Sequence, residues 1–150
     1  MSPKLSLQRA GLSLATLLAA ALSFDAAAAF GKLPRERTSG AASFVTGGVS
    51  DEDVQVFKSA FRQYPLVVEL YEHAGQRDEY TADARVKITD RRGETVLDER
   101  AEGPFMLVRL PAGDYQVAAS LKGKELPAHK VHVTEHGHAS STFVFPAGTD

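Results

Sequence analysis

The stretch Leu110-Pro111-Ala112-Gly113-Asp114-Tyr115-Gln116-Val117-Ala118-Ala119-Ser120-Leu121 reads as a turn running into a half-buried strand. Pro111 fixes φ at the second position of the turn and Gly113 relieves its last, so the chain reverses before Asp114. Tyr115, Val117, Ala119 and Leu121 then fall on every second residue, the period of a strand with one face inward.

The same period extends to both sides. Leu66 to His73 has an apolar start of strand type, and Ala84, Val86 and Ile88 alternate inward along Ala84–Thr89. Asp90-Arg91-Arg92-Gly93 is a second turn, after which Thr95-Val96-Leu97 returns. Phe105 to Leu110 is apolar on both faces, as a central strand requires. Beyond Leu121, Lys122-Gly123-Lys124 turns the chain. His129, Val131 and Val133 share a face, Glu135-His136-Gly137-His138 turns, and Phe143 and Phe145 complete a last strand. Strands at such even spacing predict an all-β fold, a seven-stranded antiparallel β-sandwich over residues 66–146.

One amphipathic helix precedes it. Ser50 is placed to cap it, and Asp51, Glu52 and Asp53 occupy a first turn where the helix dipole favours negative charge. Val54, Phe57 and Phe61 make an apolar stripe that lies on the domain, and Pro65 stops the helix. With a short strand at Phe44-Val45-Thr46, this segment occupies residues 44–65. Residues 30–43, with Gly31, Pro34, Ser39 and Gly40 and few apolar side chains, are expected to form a flexible leader.

Residues 1–29 carry the layout of a secretory signal peptide. Lys4 and Arg9 form the basic region, Leu12–Phe24 is uncharged, and Ala26–Ala29 offers small residues for cleavage. Thirteen uncharged residues are too few for a membrane-spanning helix. No Cys follows to accept a lipid, so the expectation is a periplasmic or secreted protein with no stable membrane anchor.

The sequence has no Cys at all, which removes thiol nucleophiles, thiolate metal sites and disulfides together. Without Lys4, Arg9 and Asp25, fifteen basic and eighteen acidic residues remain, with the signs interspersed. Nothing in that pattern attracts nucleic acid.

Leu110 to Val117 resembles the LPxGxYxV signature of carboxypeptidase regulatory-like domains. Ala84–Asp90, Gly93, Val96-Leu97-Asp98 and Gly103-Pro104-Phe105 fit the exported bacterial members of that family. The resemblance implies a prealbumin-like (transthyretin-like) β-sandwich with an accessory role and no catalytic residues of its own. Hydroxyisourate hydrolases of related architecture end in Tyr-Arg-Gly-Ser, whereas this sequence closes on Pro146-Ala147-Gly148-Thr149-Asp150. Sequence elbows and loops of the GxSxG, P-loop, HExxH and GxGxxG types are lacking.

The expectation is therefore a non-catalytic binding or scaffolding domain without a cofactor, serving an envelope protein or a carbohydrate ligand. The alternative is a periplasmic metal-binding protein that uses the His129–His138 cluster, and a small hydrolase of transthyretin-like fold comes third. Two groups of residues carry candidate chemistry. Arg77, Asp78 and Tyr80 lie in Ala74–Asp83, read as a long loop at the sandwich end, where a Tyr with polar neighbours suits a sugar or peptide. Four of the five histidines fall between His129 and His138. His129 and His132 point to opposite faces of a strand, which leaves His132, His136 and His138 as metal-ligand candidates, with Glu135 as a fourth.

Overall fold

A computed structural model describes residues 31–150. The signal peptide expected over residues 1–29 lies outside the described residues. Among the described residues, eleven strands fall in two sheets. The first sheet holds β1 (Arg37–Ser39), β2 (Ala42–Gly47), β7 (Phe105–Arg109), β3 (Leu66–Ala74) and β11 (Ala139–Phe145) in that order, with β4 (Arg77–Tyr80) paired to β3. The second runs β10 (His129–Val133), β8 (Gly113–Leu121), β5 (Arg85–Asp90) and β6 (Thr95–Arg100), with β9 (Lys124–Glu125) beside β8.

Each of the seven expected strands is present, as β3, β5, β6, β7, β8, β10 and β11. Two features correct the expectation of a seven-stranded antiparallel sandwich. The short strand expected at Phe44-Val45-Thr46 is present as β2 and joins the first sheet; β1, β4 and β9 are additions, and β11 runs parallel to β3, Ala139 opposite Leu66 through Phe145 opposite Glu72. The leader expected at 30–43 also carries strands. Arg37–Ser39 pairs with Ala42–Phe44, the Arg37 guanidinium lies 4.9 Å over the Phe44 ring, and Arg37 reaches Glu102 at 2.9 Å. Backbone pairing and these two cation contacts hold a segment that has few apolar side chains of its own.

The main core lies between the sheets. Phe44, Leu66, Leu70, Met106, Phe143 and Phe145 of the first sheet meet Val86, Ile88, Leu97, Val117 and Leu121 of the second. Tyr115 enters the same core, and its hydroxyl donates to the Pro111 carbonyl at 2.7 Å, tying the strand back to its own turn. That bond satisfies the one polar atom that would otherwise oppose burial of the ring.

The first sheet is covered on its outer face as well. α1 (Asp51–Ala60) begins where Ser50 Oγ accepts from the Asp53 amide at 3.1 Å, and a short 3-10 turn, Phe61–Gln63, follows it. Val54, Phe57 and Ala60 pack on Val45, Val67, Phe105 and Leu107. This explains why β7 is apolar on both faces: it is central in the sheet and buried from either side. Glycine is required where this layer closes. A Cβ on Gly103 would stand 2.3 Å from the Gly47 carbonyl oxygen, so two backbones meet where no side chain fits.

Candidate functional site

The segment Ala74–Asp83 is a hairpin arm rather than a long loop. Gly75-Gln76 forms a two-residue connection, Gly75 takes φ of 68°, and Arg77–Tyr80 pairs antiparallel with Tyr71–Ala74. β7 pairs with β3 only over Leu66–Glu69, so β4 occupies the ladder positions that β7 leaves open. The alternation of strand side chains then separates the three candidate residues. Asp78 and Tyr80 share one face with His73 and Tyr71, and Arg77 shares the opposite face with Glu79.

Tyr80 is the centre of this region. It stands opposite Tyr71 with ring centroids 5.1 Å apart, and its edge-to-face contact with buried Phe105 is at 5.2 Å. Phe61 and Phe57 pack on Phe105 from the helical segment, so a row of aromatic rings runs from under the helix out to Tyr80. Tyr80 stays 41% exposed, one of two large hydrophobic side chains, with Val49, that are exposed among the described residues. Offset and edge-to-face ring pairs of this kind are worth about 0.5–1.5 kcal/mol each beyond burial, which fixes the exposed ring in place.

Polar groups surround the pair. The Tyr71 hydroxyl donates to Glu69 Oε2 at 2.8 Å. Burial, and then that bond, push the Tyr71 hydroxyl far above the ordinary phenol range, so it remains a neutral donor. Lys58 Nζ lies 5.8 Å from the Tyr80 ring centroid, and Tyr80 raises the Lys58 pKa. His73 Nδ1 and Asp78 Oδ1 pair at 2.5 Å on the adjacent rung, while Arg77 is engaged by Glu79 at 2.9 Å. Of the three expected residues, Tyr80 therefore presents an open ring, Asp78 a carboxylate already paired to His73, and Arg77 belongs to another face. Tyr71 was missed. Its signal was its distance from the Gly75-Gln76 turn, which equals that of Tyr80 on the other strand.

The histidines do not converge. His129 turns inward, stacked on Phe143 with centroids 4.2 Å apart and bonded to Ser141 Oγ at 2.8 Å. His132 points out from the opposite face of β10, where Asp114 Oδ1 holds its Nδ1 at 2.6 Å. His136 lines a groove formed with Pro65 and Pro111. Among the described residues no three His, Asp or Glu side chains come together to hold a metal ion, so His132, His136 and His138 form no shared centre. The reason lies in β10: His132 is committed to its cross-strand neighbour Asp114, and the turn carries His136 towards the end of the sandwich.

No helix among the described residues is long and apolar enough to cross a membrane. The fold and this surface define a class: a two-sheet all-β domain, helix-covered on one face, with an aromatic pair at the end of a hairpin arm. No protein-family model matches the chain, and neither the curated proteins nor the solved structures give a match.

Proposed function

We propose that this is an exported, non-catalytic binding module of the prealbumin-like, carboxypeptidase regulatory-like class, and that it holds its ligand on the β3–β4 face around Tyr71 and Tyr80. The class rests on the Leu110–Val117 turn and its inward Tyr115. The binding role rests above all on one observation: Tyr80 is a rigidly seated aromatic ring left open to solvent.

The chemistry of the face favours a carbohydrate. Tyrosine rings offer an apolar surface to the C–H face of a sugar and keep a hydroxyl for hydrogen bonding. Glu69, Asp78 and Lys58 stand around the rings as the acceptors and donor that sugar hydroxyls need. The arm is rigid, so little conformational entropy is lost when it engages a ligand.

Pelleting with purified peptidoglycan sacculi, comparing the protein with its Tyr80→Ala variant, tests the reading. Capture that depends on Tyr80 supports it, and capture that the substitution leaves unchanged contradicts it. Tyr80-dependent capture of an envelope protein in place of the polymer would keep the face and change the ligand class.

A further inference from the structure

A second site stands at the far end of β3, independent of the tyrosine face. The five steps along the strand from Leu66 to Tyr71 span roughly 16 Å, so the two regions share no side chain. The site is a groove of about 620 Å³ between Pro65, the Leu110-Pro111-Ala112 turn and the Thr134–Gly137 turn. Its volume falls among those of small-molecule sites, which run from about 300 to 1,000 Å³.

The decisive feature is Arg109. Its guanidinium lies 4.2 Å from the Tyr64 ring centroid, its Nε donates to Glu36 Oε1 at 2.7 Å, and its Nη1 donates to the Gln63 carbonyl at 2.9 Å. Burial works to raise the Glu36 pKa, but hydrogen bonds from Arg109 and Tyr64 outweigh it and hold the carboxyl below its ordinary value. The Glu36 hydrogen bond in turn raises the Arg109 pKa, so both partners stay charged. Three contacts fix the guanidinium, yet the side chain stays 47% exposed and lines the groove. A guanidinium carries five N–H donors, and two are used here, so the rest remain for a ligand.

Glu36 balances the charge of Arg109 and Glu135 offsets that of Arg62, so the groove is neutral overall and its pull on an anion is the local one of the unused guanidinium donors. Arg62, also on the groove wall, has no acidic partner among the described residues. Glu135, on the facing turn, is the one carboxylate lining the groove. Tyr64, Pro65, Leu110 and Pro111 give the remaining wall an apolar character.

We infer that this groove binds a carboxylate carried on an apolar body, with Arg109 as the fixed fork, Arg62 as the second cation and the Pro65–Pro111 wall against the apolar part. A planar fork suits a carboxylate in two-point contact, and prior immobilisation removes most of the entropic cost of forming it. A free organic acid and the C-terminus of a peptide share this chemistry.

The test is an amide-resolved NMR titration of the protein with 4-phenylbutyrate and with 4-phenylbutyramide, which differ only in the charged end. The acid is expected to bind about tenfold tighter than the amide, as the loss of hydrogen bonds to a charged group requires. Shifts are expected at Gln63, Arg109 and Ala112. Arg62→Gln, on an exposed side chain, is expected to weaken the acid about threefold and leave the amide unchanged. Arg109→Lys keeps the charge but removes the fork, and in a variant that retains the wild-type spectrum it reduces the preference for the acid. A tripeptide ending in a free apolar residue, run beside phenylbutyrate, tells a chain end from a free acid by whichever binds tighter. Equal affinity for acid and amide, shifts confined to Tyr71 and Tyr80, or no binding of either at about 10 mM would overturn the inference.

Discussion

Tyr71 and Tyr80 face each other across β3 and β4, Tyr71 half-buried and Tyr80 exposed, with the Tyr80 ring wedged between Tyr71 and the buried edge of Phe105. The relationship links a backbone fact to a surface property. A two-residue connection at Gly75-Gln76 sets the register, the register places the two rings on one rung, and β7 begins only at Phe105, opposite Glu69, so Tyr80 of β4 reaches its ring. Rigidity at the exposed ring thus derives from the same aromatic row that seats the helix.

Phe105 is the shared member of that row, fully buried between the helical segment and Tyr80. Phe105→Ala is expected to cost about 3–5 kcal/mol, the range for large aromatic deletions from a core. Chemical denaturation measures it. A loss below about 1 kcal/mol would mean the row does not organise the helix on the sheet.

Gly103→Ala is expected to destabilise by about 2–3 kcal/mol or more, because its Cβ would stand 2.3 Å from the Gly47 carbonyl oxygen. The neighbouring atoms are backbone and have no rotamer by which to yield. Gly75→Ala, with open space around its Cβ, is the control: it meets strain from its positive φ but no clash, and its loss is expected to be smaller. Thermal melts of both variants check the order.

Alkaline pH is expected to weaken the fold through its tyrosines. Burial above all raises the pKa values of Tyr64, Tyr71 and Tyr115, with acidic neighbours adding to it. The folded state therefore favours the neutral phenol. That contribution is complete below the unfolded value of about 10 and is lost as pH rises from there towards the folded values. Melting temperature followed from pH 8 upwards should fall from about pH 10, and Tyr71→Phe should flatten the fall. A melting temperature that holds level through pH 11 would contradict the reading.

Zinc is expected to leave stability unchanged at micromolar concentrations, since His132, His136 and His138 share no centre and Asp114 holds His132. A bound ion at a hundred times its Kd would add about 2.7 kcal/mol, an effect a thermal melt resolves readily.

The parts of the fold that were legible in the sequence are those where burial writes a pattern. β5 and β8 alternate because one face meets the core and the other meets water, and β7 is continuously apolar because α1 covers its second face. The strands that escaped notice gain their order from backbone pairing. Arg77-Asp78-Glu79-Tyr80 is exposed along its whole length, so β4 has no hydrophobic period to read. The parallel register of β11 on β3 and the Glu36–Arg109 pair, separated by 73 positions, depend on the tertiary path. Tyr80 was legible as a candidate by its residue type. Its partner Tyr71 required the turn to be placed first.

The most direct test of the account is the affinity of the Tyr80→Ala variant for the captured polysaccharide, read beside its melting curve. Loss of two ring contacts is expected to cost about 1–2 kcal/mol of stability, leaving the domain folded. Affinity is expected to fall about tenfold or more, as loss of a central aromatic anchor does. An unfolded-state population that stays small while binding disappears would support the β3–β4 face as the binding surface. Binding that persists at wild-type strength in the folded variant would contradict it.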